Sequence, residues 1–342
     1  MAIHNRSHRN HALMSLNRMQ RESPTKPGDA AASPKESVIC LEIADCCDFL
    51  KGIPDGSVQL ICIDPPYNLD LASWDRCDHY IDWAAKWIAE AYRVLSDTGS
   101  MAVFGGIQFR DAKSGDLIDI ISHVRHHTRF KLVNTIIWHY RNGMSARRFF
   151  ANRHEEIIWL AKSDRYYFDL DSVRIPYEPG QLELALRDRR LNPESVMKGR
   201  NPTNVWEIGR LNGNSRERVG HPTQKPLEII RRLVRSLSSP GSVVLDFFAG
   251  SGTTGRACLE EGRHCLMCDS DPMSRIYFQR HLDRMEAQGG KACWHRAGTA
   301  REFFAMVKGG AASKGYEEQE DERSWEEAEG EGKGKGKPGS GG

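Results

Sequence analysis

The chain has 342 residues, 39% of them apolar, with a mean hydropathy of −0.57. That length suits one large α/β domain with insertions, or two domains. The formal net charge is only +2, which excludes a wholly polycationic or polyanionic protein. No run approaches the roughly 18 apolar residues of a membrane span, and the start lacks the apolar core of a signal peptide. A soluble, cytoplasmic protein is expected.

Residues 1–36 are basic, His-rich and punctuated by Pro and Ser, and read as a disordered lead. The segments "SVICLEIAD" (37–45) and "SVQLICID" (57–64) read as strands. "YIDWAAKWIAEAYRVL" (80–95) reads as an amphipathic helix, and "GSMAVFGG" (99–106) as another strand. A long, basic, irregular region from about 140 to 220 separates this block from a second one. There the pattern predicts a helix over 227–237, a strand over 241–250 and a helix over 253–262. A strand over 263–269 and a helix over 272–288 complete it. From Gly309 the chain is low-complexity and reads as a disordered tail. Alternating strands and helices imply a mostly parallel sheet with helices on both faces.

Charge is unevenly spread: 22 Lys or Arg stand against 12 Asp or Glu between His123 and Arg235. A basic stretch in a near-neutral chain is what a polyanion-binding face requires. The nine cysteines follow no framework spacing, so reduced thiols are expected. Cys265 and Cys268 form a C-x-x-C without a second pair, so no metal site is expected. Trp138, Trp159 and Trp206 lie among apolar neighbours and read as core.

Two motifs carry chemistry. In "DFFAGSGTTG", Gly250, Gly252 and Gly255 match G-x-G-x-x-G between a strand and a helix, which is the spacing of a nucleotide loop. Asp246 precedes the turn and would repel a pyrophosphate. A cofactor with a cationic amino-acid end, such as S-adenosylmethionine, is favoured over a nicotinamide dinucleotide. Asp269 ends the next strand, where a carboxylate can accept ribose hydroxyls. The second motif is Asp64-Pro65-Pro66-Tyr67. Two prolines stop the strand and hold the backbone stiffly. Placed beside the cofactor pocket, Asp64 and the Pro65 carbonyl could each accept one N–H of an exocyclic amino group, freeing the nitrogen lone pair. Tyr67 offers a face on which an extruded base could stack.

Together with "NRHEEIIWLAK", "NPTNVWEI" and "HPTQKPLEII", these motifs resemble the β-class (permuted) amino-methyltransferases of DNA, and most of all the RsrI-type adenine-N6 enzymes. The likeness covers about 40–285. It implies a Rossmann-like, circularly permuted, S-adenosylmethionine-dependent methyltransferase fold with an inserted target-recognition region. Its blocks would be catalytic (about 37–139), target-recognition (about 140–220) and cofactor-binding (about 221–308). Asp64, Pro65, Pro66 and Tyr67 would form the catalytic motif, with Asp64 also bordering the cofactor. Phe248, Ala249, Gly250, Ser251 and Gly252 would form the cofactor loop beside Asp246. Asp269 would bind the ribose, Asp45 and Cys46 would flank the adenine ring, and His221, Thr223 and Lys225 would meet the methionine end. Thr223 can equally be a plain helix cap, and Asp45 a turn residue. Ala44 stands where many members of the family have glycine.

The recognition region offers Arg141, Arg147, Arg148, Arg153, Arg187, Arg189, Arg190, Arg200, Arg210, Arg216 and Arg218 for bases and phosphates. The implied function is site-specific methylation of adenine N6 in double-stranded DNA, alongside a restriction endonuclease sharing the target, as a monomer or homodimer. The alternatives are cytosine N4, where serine is common in place of Asp64, and a catalytically inactive DNA-binding protein. Methylation of a protein glutamine would call for Asn-Pro-Pro-Tyr.

Overall fold

The structure, a computed structural model, describes residues 36–68, 77–106, 117–143, 145, 147–148, 150–289 and 294–309. The expectations for residues 1–35 and 310–342, and Cys293, lie outside the described residues.

Nine strands among the described residues form one sheet: β1 (Ser37–Ile43), β2 (Val58–Ile63), β3 (Leu95–Gly105), β4 (Lys131–His139), β5 (His154–Ala161), β6 (Val205–Glu207), β7 (Val243–Asp246), β8 (His264–Asp269) and β9 (Trp294–Ala297). Their order is β6-β4-β5-β3-β2-β7-β8-β1-β9. All neighbours pair in parallel except β5, which runs antiparallel to both β3 and β4.

Helices cover both faces, so the central strands are apolar on both sides and read as continuous runs rather than alternations. Ile61 and Ile63 of β2 join one buried cluster, while Leu60 and Cys62 join the other. The first cluster takes α1 (Cys46–Lys51), α2 (Tyr80–Val94), α3 (Leu117–His127) and α9 (Ala300–Gly309). The second takes α6 (Leu227–Leu237), α7 (Thr253–Glu261) and α8 (Met273–Ala287). Helix α2 buries Tyr80, Ala84, Trp87, Ile88, Ala91 and Val94, a stripe at helical spacing. Two short helices, α4 (Pro179–Arg187) and α5 (Pro193–Met197), lie in the basic region.

Several elements depart from the sequence expectation. Strand β4 has no counterpart in it, and β5 and β6 fall in the region expected to be irregular. Strand β5 is central, and its residues from Glu156 to Ala161 are buried on both faces. Periodicity cannot separate such a run from a buried helix. The segment expected as a strand over 241–250 stops at Asp246, where the glycine loop begins. Trp138, Trp159 and Trp206 are core residues, and each indole N–H finds an acceptor, at Ile208 O, Ser100 Oγ and Thr203 O respectively. Cys265 and Cys268 lie on opposite faces of β8, as positions three apart on a strand must.

Connectivity places a crevice. From β2 the chain moves to β3 on one side, while from β7 it moves to β8 on the other, and β2 and β7 are neighbours. Such a reversal opens a cleft outside the carboxyl ends of the strands, where ligands bind in open α/β sheets.

Candidate active site

Leu60 pairs with Val244 and Ile61 with Leu245, so the residues that follow β2 and β7 emerge side by side. The two motifs, about 180 residues apart in sequence, meet at one edge. Ile43 pairs with Asp269, which brings the end of β1 there too. Asp45, Asp64, Asp246 and Asp269 therefore ring a single cavity of about 230 Å³.

Each carboxylate is held differently. Asp45 caps α1, accepting from the N–H groups of Cys47 and Asp48, and leaves Cys46 buried at the wall. Asp246 is 4% exposed and turned into its own loop, accepting from Thr254 Oγ1 at 2.6 Å and Phe248 N at 3.1 Å. Burial pushes its pKa up to about 7, although those two hydrogen bonds pull the other way. Asp269 accepts from Gly250 N at 2.6 Å and Asp271 N at 2.9 Å, so it fixes the glycine loop as well as facing the cavity.

The loop itself needs glycine at 252. That residue has φ +74°, and a Cβ there would lie 2.8 Å from the Phe278 side chain. The requirement comes from packing beneath the loop, not only from space above it. Trp83, which the sequence did not single out, packs on Phe248 with centroids 5.7 Å apart and lines the same cavity. Ala44 carries no positive φ, so this position does not need glycine; its N–H donates to Asp269 O.

Asp64 stands at a junction. A second cavity of about 240 Å³ lies beyond it, walled by Pro65, Tyr67, Trp138, Glu155, Arg210 and Arg218 among others. The two cavities share Asp64, Pro66, Thr223 and Lys225. Tyr67 Oη donates to Asp64 Oδ1 at 2.7 Å, and Lys225 Nζ donates to Asp64 Oδ2 at 2.6 Å. The same ammonium lies 3.2 Å from Tyr67 Oη and 3.4 Å from Glu155 Oε2. Burial pulls the Lys225 pKa down, but the Asp64 and Glu155 carboxylates outweigh it and hold it above the usual lysine value. Burial, then the charge of Asp64, drives the Tyr67 phenol well above its ordinary range. Tyr80 Oη donates to Pro66 O and locks the motif from below.

Lys225 thus bonds Asp64 directly, and it also lines the first cavity, where the family likeness implies the methionine end. Thr223 and His221 do line the first cavity, and burial lowers the His221 pKa. Their segment is pinned by Arg218, which donates to the carbonyls of His221 and Pro222, and by Gln224, which bonds Val219 N and Glu217 O. Arg218 is therefore partly spent on its own loop. Of the other arginines, Arg210 lies over the Tyr140 ring at 5.1 Å and Arg141 pairs with Glu207 at 2.5 Å. Arg147, Arg148, Arg200 and Arg216 are exposed, and Arg153 is half-buried. Arg187 and Arg190 pair with Glu183 and Asp188, and Arg189 is exposed. Glu155 was also unassigned from sequence. Its place follows from its pairing with Trp138 across β4 and β5, which no local pattern reveals.

The first cavity fits a cationic adenosyl group better than a dinucleotide. Five aspartates line it (Asp45, Asp64, Asp246, Asp269 and Asp271), with Asp246 turned into its own loop, and the Gly250 N–H that a phosphate would seek already donates to Asp269.

A DNA methylase family profile (N6_N4_Mtase) matches residues 58–276. The DNA adenine methyltransferase YhdJ of Escherichia coli K12 is 34% identical over 63% of this chain and 72% of its own length. The type II methyltransferase M1.MboII of Moraxella bovis is 32% identical over 66% and 89%. The type II methyltransferase M.BglII of Bacillus subtilis is also 32% identical, with 68% of this chain matching 65% of it, just under two thirds of its length. Among solved structures, the Thermus thermophilus protein TTHA0409 complexed with S-adenosyl-L-methionine superposes with a TM-score of 0.53. It is 25% identical over 77% of this chain and 99% of its own. The cytosine-N4-specific PvuII DNA methyltransferase shares the fold, with a TM-score of 0.55 at 18% identity over 75% and 95%.

Proposed function

The chain belongs to the N6/N4 family of DNA methylases, and from that premise we propose that it methylates adenine N6 at a specific site in double-stranded DNA. The observation that carries this reading is Asp64, whose carboxylate stands where two cavities meet. One cavity suits S-adenosylmethionine, and the other receives a base extruded from the duplex.

When bound, S-adenosylmethionine supplies an electrophilic methyl group on a sulfonium. Asp269 would hold its ribose, Phe248, Asp45 and Cys46 would flank its adenine ring, and Thr223, His221 and Lys225 would meet its methionine end. On the base side, Asp64 and the Pro65 carbonyl accept the two amino N–H bonds, which draws the nitrogen towards tetrahedral geometry. The same carboxylate is placed to take the proton the amino group sheds. Tyr67 and Trp138 wall the base chamber. Lys225 holds Asp64 and Tyr67 in register, and Glu155 offers the ammonium a second partner.

Aspartate at position 64 favours adenine, since the resembling cytosine-N4 enzymes commonly carry serine there. The fold alone does not choose, because a cytosine-N4 enzyme shares it. The region 140–220 is the proposed target-recognition segment, with duplex DNA as partner. Among the described residues no helix is long and apolar enough to cross a membrane; action on chromosomal DNA implies a cytoplasmic protein. A companion endonuclease belongs to the same proposal.

Nucleoside mass spectrometry of DNA from cells expressing the protein tests this. N6-methyladenine is expected, and Asp64→Ala should abolish it. N4-methylcytosine would overturn the adenine reading, and neither product would overturn the activity as a whole.

A further inference from the structure

Extruding a base leaves a gap in the duplex, and the wall of the base chamber leads to a side chain suited to fill it. Trp138 and Glu155 are direct partners across β4 and β5, and both line that chamber. The connection between these strands leaves from the same edge of the sheet as the active site. Its first rung is Tyr140 N donating to Arg153 O at 2.8 Å. Arg210, another wall residue, lies over Tyr140, and its carbonyl accepts from Asn142. The base of the connection thus packs against Arg210 of the chamber wall. At Phe150 the side chain is 99% exposed, the most open of the large apolar residues described. Arg147 and Arg148 near it are exposed, with no ion pair among the described residues. Five residues from Phe150 to Glu155 span at most about 17 Å, comparable to the ~12 Å width of a major groove.

We propose that Phe150 is a wedge that enters the base stack and fills the space vacated by the target base, with Arg147 and Arg148 gripping the flanking phosphates. An apolar side chain between base steps offsets the unstacking cost of a kinked or opened duplex. A phenylalanine held in water near two cations is otherwise unfavourable, and the positive charge selects a polyanion over an apolar partner. The proposal rests on the base-flipping methyltransferase reading.

The test compares wild type, Phe150→Ala and Phe150→Trp on two duplexes carrying the sequence found modified in cells. In one the target adenine is paired; in the other it faces an abasic site and needs little help to leave the stack. Single-turnover transfer by Phe150→Ala should fall roughly tenfold or more on the paired duplex, and by less than about twofold on the unpaired one. Phe150→Trp should keep most of the paired rate. A side chain this exposed contributes no packing, so cofactor binding by calorimetry should be unchanged. Equal losses on both duplexes, or no loss on either, overturn the wedge. So does a change in sedimentation of Phe150→Ala from dimer to monomer, which would make the residue a contact between copies. Wild type inactive on both duplexes overturns the methyltransferase reading itself, and the wedge with it.

Discussion

The edge formed by β1, β2, β7 and β8 and the basic region from 140 to 220 handle charge in opposite ways. At the edge, carboxylates are capped, hydrogen-bonded or paired: Asp45 caps a helix, Asp246 and Asp269 tie down the loop, and Asp64 holds Lys225. In the basic region, Arg147, Arg148, Arg200 and Arg216 are open to solvent. Preorganised groups suit chemistry on one fixed atom. Exposed cations suit a long polyanion whose counterions must be released. Damage to the first region should therefore stop transfer, and damage to the second should change which DNA is used, and at what salt.

The largest effect is expected from Asp64→Ala, which removes the proposed acceptor for the amino group. Transfer should drop at least about 100-fold, as loss of one preorganised group at a reacting centre does, while calorimetry shows cofactor affinity within about tenfold. Lys225→Met comes next. It leaves Asp64 and Glu155 without their shared cation in a site where the lysine is 10% exposed. Transfer should fall, and thermal unfolding should report a stability decrease of about 3 kcal/mol. Unchanged stability would break the claim that this lysine organises the edge.

How much of this could be read in the sequence follows the same division. Asp64-Pro65-Pro66-Tyr67 and the glycine loop were legible because each is a contiguous string with its own backbone logic. Their adjacency was implied only by family likeness; the pairing of Leu60 with Val244 makes it physical. Glu155 was not legible, because its function depends on a register with Trp138 and on a lysine seventy residues away. Trp83 was hidden for a different reason, since on α2 it shares the helix with ordinary core residues such as Tyr80 and Trp87. Gly252 was legible as a loop glycine, but its tightest neighbour was not, because Phe278 crowds it from below.

Two further expectations concern this loop. Asp269→Ala should weaken cofactor binding by about 1.5–3 kcal/mol and loosen the loop through Gly250. Gly252→Val should show its effect first in thermal stability, as φ +74° and Phe278 both oppose it. A Gly252→Val protein of wild-type stability that fails to bind cofactor would contradict the packing argument.

Asp246 gives a pH signature. Its folded pKa, about 7, lies above its ordinary value, so its contribution to stability is full below about pH 4 and declines as pH rises towards and through 7. Asp246→Asn keeps an acceptor for Thr254 but does not ionise. Relative to wild type, it should gain in melting temperature as pH climbs from 5 to 8. A constant difference across that range would show that the carboxylate is already ionised.

The smallest single effects are expected in the basic region. Arg147→Ala or Arg216→Ala should weaken binding to all duplexes about equally, and the salt slope should shrink by about 0.9 for each phosphate the variant no longer touches. An arginine whose removal relaxes choice at one base pair would instead be a base reader.

Asp64 borders both cavities, and the proposed function makes one the cofactor chamber and the other the base chamber. A crystal structure with S-adenosylhomocysteine and a duplex carrying the target site tests it most directly. The extruded adenine should lie between Tyr67, Trp138 and Glu155, its amino nitrogen within hydrogen-bond distance of Asp64 and the Pro65 carbonyl. An adenine left in the duplex, or seated where its amino group does not meet Asp64, would contradict the account.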